Sequence, residues 1–283
     1  MNRQYIRQNT LPTATDIDNL MDLFREVMFP MVYSPQPLSS PTPQEEEGTG
    51  LQTAIAEINA QLRQLAQQVL IVATQADEQD AAAHADVIAQ GLLEQLADIR
   101  LLLLSDVEAV ALNDPAAGSS VEVICCYPAI TAMLHHRIAH ALHKLGLPLL
   151  PRIISERAHS ITGIDIHPAA QIGASFGIDH GTGIVIGATT IIGHHVMLYQ
   201  GVTLGARNFQ HDADGRLLNE PRHPIIEDHV TIYSNTSVLG RIRIGHHSVI
   251  GGNLWITHDV PPQSQIRQSR PERHTLFIDG AGI

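Results

Sequence analysis

Lysine is nearly missing from this chain: Lys144 is the only one among seventeen basic residues. Any grip on a phosphate or carboxylate must therefore come from arginine, histidine or backbone N–H groups. Cysteine is almost as scarce. Cys125 and Cys126 are adjacent, so a disulfide between them would be strained, and both read as small buried residues. Nothing points to a secreted fold stapled by disulfides. Excess positive charge is lacking too. The formal net charge of -12 argues against a general nucleic-acid binder, but a few local arginines could still hold an anionic cofactor. No uninterrupted apolar run follows Met1, which predicts neither a signal peptide nor a membrane span, and hence a cytoplasmic protein with no membrane partner.

What is present falls into three parts along 283 residues, 44% of them hydrophobic, enough for a substantial core. Residues 1–162 read as an α-helical domain: a short helical arm over 1–33, a Pro- and Glu-rich linker at 34–50, then helical periodicity through Ile55, Ile58, Leu62, Leu65 and Val69. Asp114-Pro115 breaks that run, and Pro128 opens another helix that ends near Gly146. Residues 163–262 change composition sharply, to Ile, Val, Thr, Gly and His, and 263–283 read as a flexible tail.

The middle part carries a repeat of six. Ile166, Ile172 and Ile178 are six apart; Ile186, Ile192, Leu198 and Leu204 continue after a two-residue slip. Ile226, Ile232, Val238, Ile244, Ile250 and Ile256 form a third register. A weaker row, including Ala170, Phe176, Thr190 and Val196, lies two positions earlier. Strands alternate every two residues and helices every 3.6, so neither gives six. A three-sided solenoid does, with one short strand per side and the periodic aliphatic pointing inward. The predicted fold class is therefore α + β: a helical domain followed by a parallel β-helix of hexapeptide repeats.

Two interruptions are candidate sites. The slip spans Asp179-His180-Gly181-Thr182-Gly183, and a bulge in a regular solenoid often serves a function. The polar stretch from Ala206 to Pro224 cannot be core and reads as a protruding loop closed by Arg222-His223. Acylating an alcohol needs a base for the hydroxyl proton. His180 suits that at neutral pH, and Asp165, a little under one coil earlier, could orient it. Arg222 could hold a carboxylate through two parallel bonds. The histidines leave a metal enzyme open, such as a γ-type carbonic anhydrase, although Gly193-His194-His195 and Gly245-His246-His247 read as outward corners, so no metal is expected. A non-enzymatic scaffold also remains open on these residues.

The set Asp165-Ile166-His167-Pro168, Asp179-His180-Gly181-Thr182-Gly183, Val202-Thr203-Leu204-Gly205 and Arg222-His223-Pro224 resembles the serine O-acetyltransferases, over about residues 105–261. The resemblance implies a left-handed β-helix and transfer of acetyl from acetyl-CoA to L-serine. It implies His180 as general base with Asp165 as its partner, Asp114 and Asp179 on the serine ammonium, and Arg222 and His223 on its carboxylate. It implies acetyl-CoA contacts near Gly205, Ala206, Ser234 and Gly252, in a groove between subunits of a homotrimer or a dimer of trimers. It further implies L-cysteine as a feedback inhibitor and a terminal isoleucine, here Ile283, that enters O-acetylserine sulfhydrylase. Within the family, another amino acid or a sugar remains an alternative acceptor. The chain departs from the resemblance in its longer 206–220 loop, in Gln263–Gln268 after Pro262, and in Ala281 where an aspartate is common.

Overall fold

A computed structural model describes residues 11–33, 43–208, 212, 214–215, 218 and 220–268. The helical part holds α1 (Ala14–Met28), α2 (Pro30–Tyr33), α3 (Pro43–Thr74), α4 (Glu78–Leu93), α5 (Leu96–Asn113), α6 (Ser120–Cys126), α7 (Pro128–Lys144) and α8 (Leu150–Thr162). Their ends follow local chemistry. Thr13 and Asp16 form a reciprocal capping box on α1, and the Asp77 carboxylate accepts two N–H groups at the start of α4. Pro128 opens α7, where its missing N–H costs nothing, and Gly163 ends α8 with φ +70°. Helix α3 starts at Pro43, so helix replaces the predicted linker before residue 50; 34–42 lies outside the described residues. Cys125 and Cys126 are exposed free thiols, contrary to the buried expectation. Helix α6 has two turns and buries only Val123 against its neighbours.

The strands stack in three parallel sheets. The first holds β1 (Asp165–Ile166), β4 (Val185–Ile186), β7 (Thr203–Gly205), β10 (Ser237–Leu239) and β13 (Trp255–Ile256). The second holds β2 (Gln171–Ile172), β5 (Ile191–Ile192), β8 (Ile225–Ile226) and β11 (Arg243–Ile244). The third holds β3 (Gly177–Asp179), β6 (Met197–Tyr199), β9 (Thr231–Ile232), β12 (Val249–Ile250) and β14 (Gln265–Ile266). The chain visits the sheets in turn, making a three-sided solenoid. Of the thirteen periodic aliphatics, all but Ile172 and Ile256 are buried, and the weaker row is buried as well. The coil runs on to β14, past residue 262 and into the segment read as tail.

The corners repeat as regularly as the sides. Between the second and third sheets, Ser175, His195, His229, His247 and Gln263 all have φ near +57°, a left-handed conformation that few non-glycine residues adopt. The rings of His195, His229 and His247 stack there at 4.8 and 4.6 Å. Between the third and first sheets, Gly163, Gly183, Gly201, Asn235 and Asn253 share positive φ. The two-residue slip inserts His180 and Gly181 into this column, with φ +58° and +90°.

One buried ion pair docks the helical part onto the first coil. The Arg137 guanidinium of α7 donates to both oxygens of Asp106 on α5, and to the carbonyls of Ile172 and Gly173 at 2.6 and 2.7 Å. The Phe176 N–H donates to Asp106 Oδ1 at 3.0 Å. Asp106 is 0% exposed, and its burial, outweighing Arg137, pushes the carboxyl up to about 6.

Candidate active site

The inserted pair throws His180 out of the solenoid surface. Its side chain is 71% exposed, and Nε2 lies 3.8 Å from Asp179 Oδ2 at the end of β3. Plain extended backbone would point Asp179 away; the left-handed turn at His180 folds the imidazole back toward it. Asp114, which ends α5, joins this corner from the helical part. Its Oδ2 accepts the Tyr127 hydroxyl at 2.5 Å and its Oδ1 the Ala116 N–H at 2.8 Å. The Tyr127 bond, then the Ala116 bond and the His180 charge, hold Asp114 below the usual carboxylate range. Asp114 in return pushes the Tyr127 phenol up to about 12. Tyr199 stacks on Tyr233 beside them at 4.8 Å, and its phenol is raised by burial and by the charges of Asp179 and Asp114.

Arg222 and His223 lie at the opposite edge of the first sheet, where the chain turns into the second. Thr189 receives their N–H groups, and His223 is 8% exposed. Burial, with Arg222 and Arg241 nearby, pushes the His223 imidazole down to about 4. His167, just past β1, belongs to the same corner: burial and the charges of Arg152, His143, His223 and Arg222 lower it to about 4. Arg222 also lines a cavity of 260 Å³ with Arg207, Glu220, Leu239, Arg241 and Thr257.

Asp165 opens β1 on the outward face of the first sheet, in register with Val185, Thr203, Ser237 and Trp255. Trp255 ends this row 71% exposed. Among the described residues, no hydrogen bond or ion pair joins Asp165 to His180 within one chain. The residues singled out for acetyl-CoA divide likewise. Gly205 and Ala206 lie at the Arg222 edge, while Ser234 and Gly252 stack at the His180 edge, where a Cβ on Gly252 would meet the Ser234 carbonyl at 3.0 Å. Ile283, with the rest of 269–283, lies outside the described residues. Sequence reasoning missed Tyr127, His167, Thr189 and Arg241. Only His167 left a signal, as part of the Asp-Ile-His-Pro motif.

A three-sided parallel solenoid whose coil is broken by an exposed imidazole and by a loop returning an Arg-His pair defines a hexapeptide-repeat acyltransferase. Among the described residues, no group of three His, Cys, Asp or Glu side chains could hold a metal, and no helix is long and apolar enough to cross a membrane. No family model matches the chain. The plasmid serine acetyltransferase of Synechococcus elongatus is 45% identical over 276 residues, 96% of this chain and 86% of its own. Serine acetyltransferase isoform 3 of Entamoeba histolytica, solved in complex with cysteine, matches 92% of this chain and 84% of its own. Its TM-score is 0.75 at 31% identity. The Neisseria gonorrhoeae serine acetyltransferase in complex with serine matches 89% of this chain and 97% of its own, with TM-score 0.58 at 26% identity. The chain belongs to the serine acetyltransferase family, and its solenoid is the left-handed parallel β-helix of those enzymes.

Proposed function

We propose that this acyltransferase moves acetyl from acetyl-CoA to the hydroxyl of L-serine, giving O-acetyl-L-serine and CoA for cysteine biosynthesis. His180 takes the hydroxyl proton as the serine oxygen attacks the thioester carbonyl carbon. The C–S bond then breaks, and the proton passes from the imidazolium to the departing thiolate. Asp165 orients and stabilises the charged ring, while Asp114 and Asp179 receive the serine ammonium. The Tyr127 bond helps keep Asp114 ionised for that task. Arg222 and His223 take the serine carboxylate.

These roles need a second copy of the chain. His180 with its acids lies at one edge of the first sheet and Arg222-His223 at the other, so neither edge alone holds every group. In a homotrimer, one subunit's His180 edge would face the next subunit's Arg222 edge, and acetyl-CoA would lie in that groove along Gly205, Ala206, Ser234 and Gly252. The placement of Asp165 away from His180 within one chain is consistent with a dyad completed across it. A dimer of trimers, inhibition by L-cysteine and capture of the sulfhydrylase through Ile283 belong to the same reading. So does a cytoplasmic setting, which the two free exposed thiols suit.

The observation that carries this reading is His180 bulged from a regular corner toward Asp179 and Asp114. CoA thiol release is measured with serine, homoserine and a galactoside as acceptors. Serine is expected to be preferred, and His180→Ala to lose at least about 100-fold in kcat. Equal rates in the variant and the parent would end the general-base assignment.

A further inference from the structure

Thr189 occupies a corner position with no periodic requirement, yet it makes four contacts to the Arg222-His223 pair. Its hydroxyl accepts the Arg222 N–H at 2.9 Å and the His223 N–H at 3.1 Å. The same hydroxyl lies 2.9 Å from His223 Nδ1, and the Thr189 backbone N–H donates to that nitrogen at 3.1 Å. Arg241 closes the arrangement from the next coil. Its Nη1 donates to the Thr189 carbonyl at 2.7 Å and to the His223 carbonyl at 2.9 Å.

A backbone N–H can only donate, so Nδ1 must receive it with a lone pair. That nitrogen then carries no proton, and the single ring proton sits on Nε2. The ring packs against Gly187, where a Cβ would stand 2.0 Å from Cδ2 and 2.1 Å from Nε2, so no larger residue fits beside it without displacing the imidazole. We infer that Thr189, Arg241 and Gly187 are positioning residues that lock His223 as a neutral Nε2–H donor for the substrate carboxylate. Arg222 supplies the charge and His223 the direction; His223 is not a base. The depressed imidazole pKa agrees, since a ring neutral down to about 4 keeps one hydrogen-bonding role across neutral pH. Thirty-four positions separate Thr189 from His223, so the lock also fixes where the protruding loop rejoins the solenoid. The carboxylate role rests on the serine reading above; the lock itself does not.

Nitrogen NMR of full-length protein labelled with 15N at histidine reads the tautomer without substrate, with His223→Asn identifying the signals. The expected spectrum has a pyridine-like Nδ1 and a pyrrole-like Nε2, unchanged from about pH 8 to about pH 5.5. A proton on Nδ1, or titration within that window, would overturn the lock even in an enzyme that acetylates serine. Loss of serine turnover with the tautomer intact would instead remove the functional reading. Kinetics give the second arm. Thr189→Val is expected to raise the serine KM roughly five- to ten-fold, with kcat and the acetyl-CoA KM little changed. Thr189→Ser should restore it. A fall in kcat at constant serine KM, or a serine variant as impaired as the valine one, contradicts the positioning role. Should Thr189→Val fail to fold, Thr189→Ser and the parent spectrum still decide it.

Discussion

Asp106 has no access to water, yet its carboxyl stays ionised at neutral pH because Arg137 and the Phe176 N–H supply four hydrogen bonds. A pair like this adds little net stability over a well-packed apolar substitute, but removing one partner strands the other. Asp106→Asn is expected to destabilise the protein by about 3–5 kcal/mol in denaturant unfolding, since the Arg137 charge would stay buried without its counterion. Replacing both, as Asp106→Leu with Arg137→Met, should recover much of that loss. The raised carboxyl pKa also has a sign: this group favours the folded state less as pH climbs from the usual aspartate value toward 6, and its contribution is flat above that. None of this was legible beforehand. The two residues are 31 positions apart on different helices, and nothing in the repeat or the local pattern marks them as partners.

At the scale of one element, α7 is a histidine-bearing helix wedged between the other helices and the first coil. Burial pushes His135 down to about 4 and His136 well below its ordinary value. His140 donates from Nδ1 to the Pro168 carbonyl at 2.8 Å and is lowered by burial as well. Imidazoles held neutral in the fold charge more readily in the unfolded chain. The stability they confer is present above about pH 6.5 and is lost as pH falls toward 4. For His135 that amounts to about 3 kcal/mol across the window. Thermal unfolding followed from pH 7.5 to pH 5 should therefore show a falling Tm, with a shallower slope in His135→Gln. A Tm that holds steady over this range would contradict the assignment. The strands were far more legible than this helix's chemistry. A side chain facing the solenoid interior every sixth residue leaves a periodic trace, whereas a buried imidazole looks like any other histidine in a sequence holding seventeen. The cysteines misled for a related reason: their helix is too short to cover them.

For the molecule as a whole, the site residues named from sequence divide between two corners and one sheet face. Asp114, Asp179 and His180 share one corner, Arg222 and His223 another, and Asp165 stands on the sheet between. A linear motif gives order along the chain but not which edge of a solenoid each residue reaches. The trimer reading makes this separation measurable. His180→Ala and Arg222→Ala are each expected to be inactive alone. Unfolded together and refolded as a mixture, they should regain roughly a quarter of parental activity, because a quarter of randomly formed interfaces join two intact edges. No recovery from a mixture shown to form mixed trimers would place each whole site within one subunit.

The hydroxyl of Thr189 fastens the backbone at the exit of the 206–220 excursion, through the N–H groups of Arg222 and His223. Because this anchor grips main chain, residues added to or deleted from the excursion are expected to leave its point of re-entry into the solenoid unchanged. Loop length is then free to vary without altering where the second sheet resumes, since the entropic cost of a longer loop grows only slowly with its length.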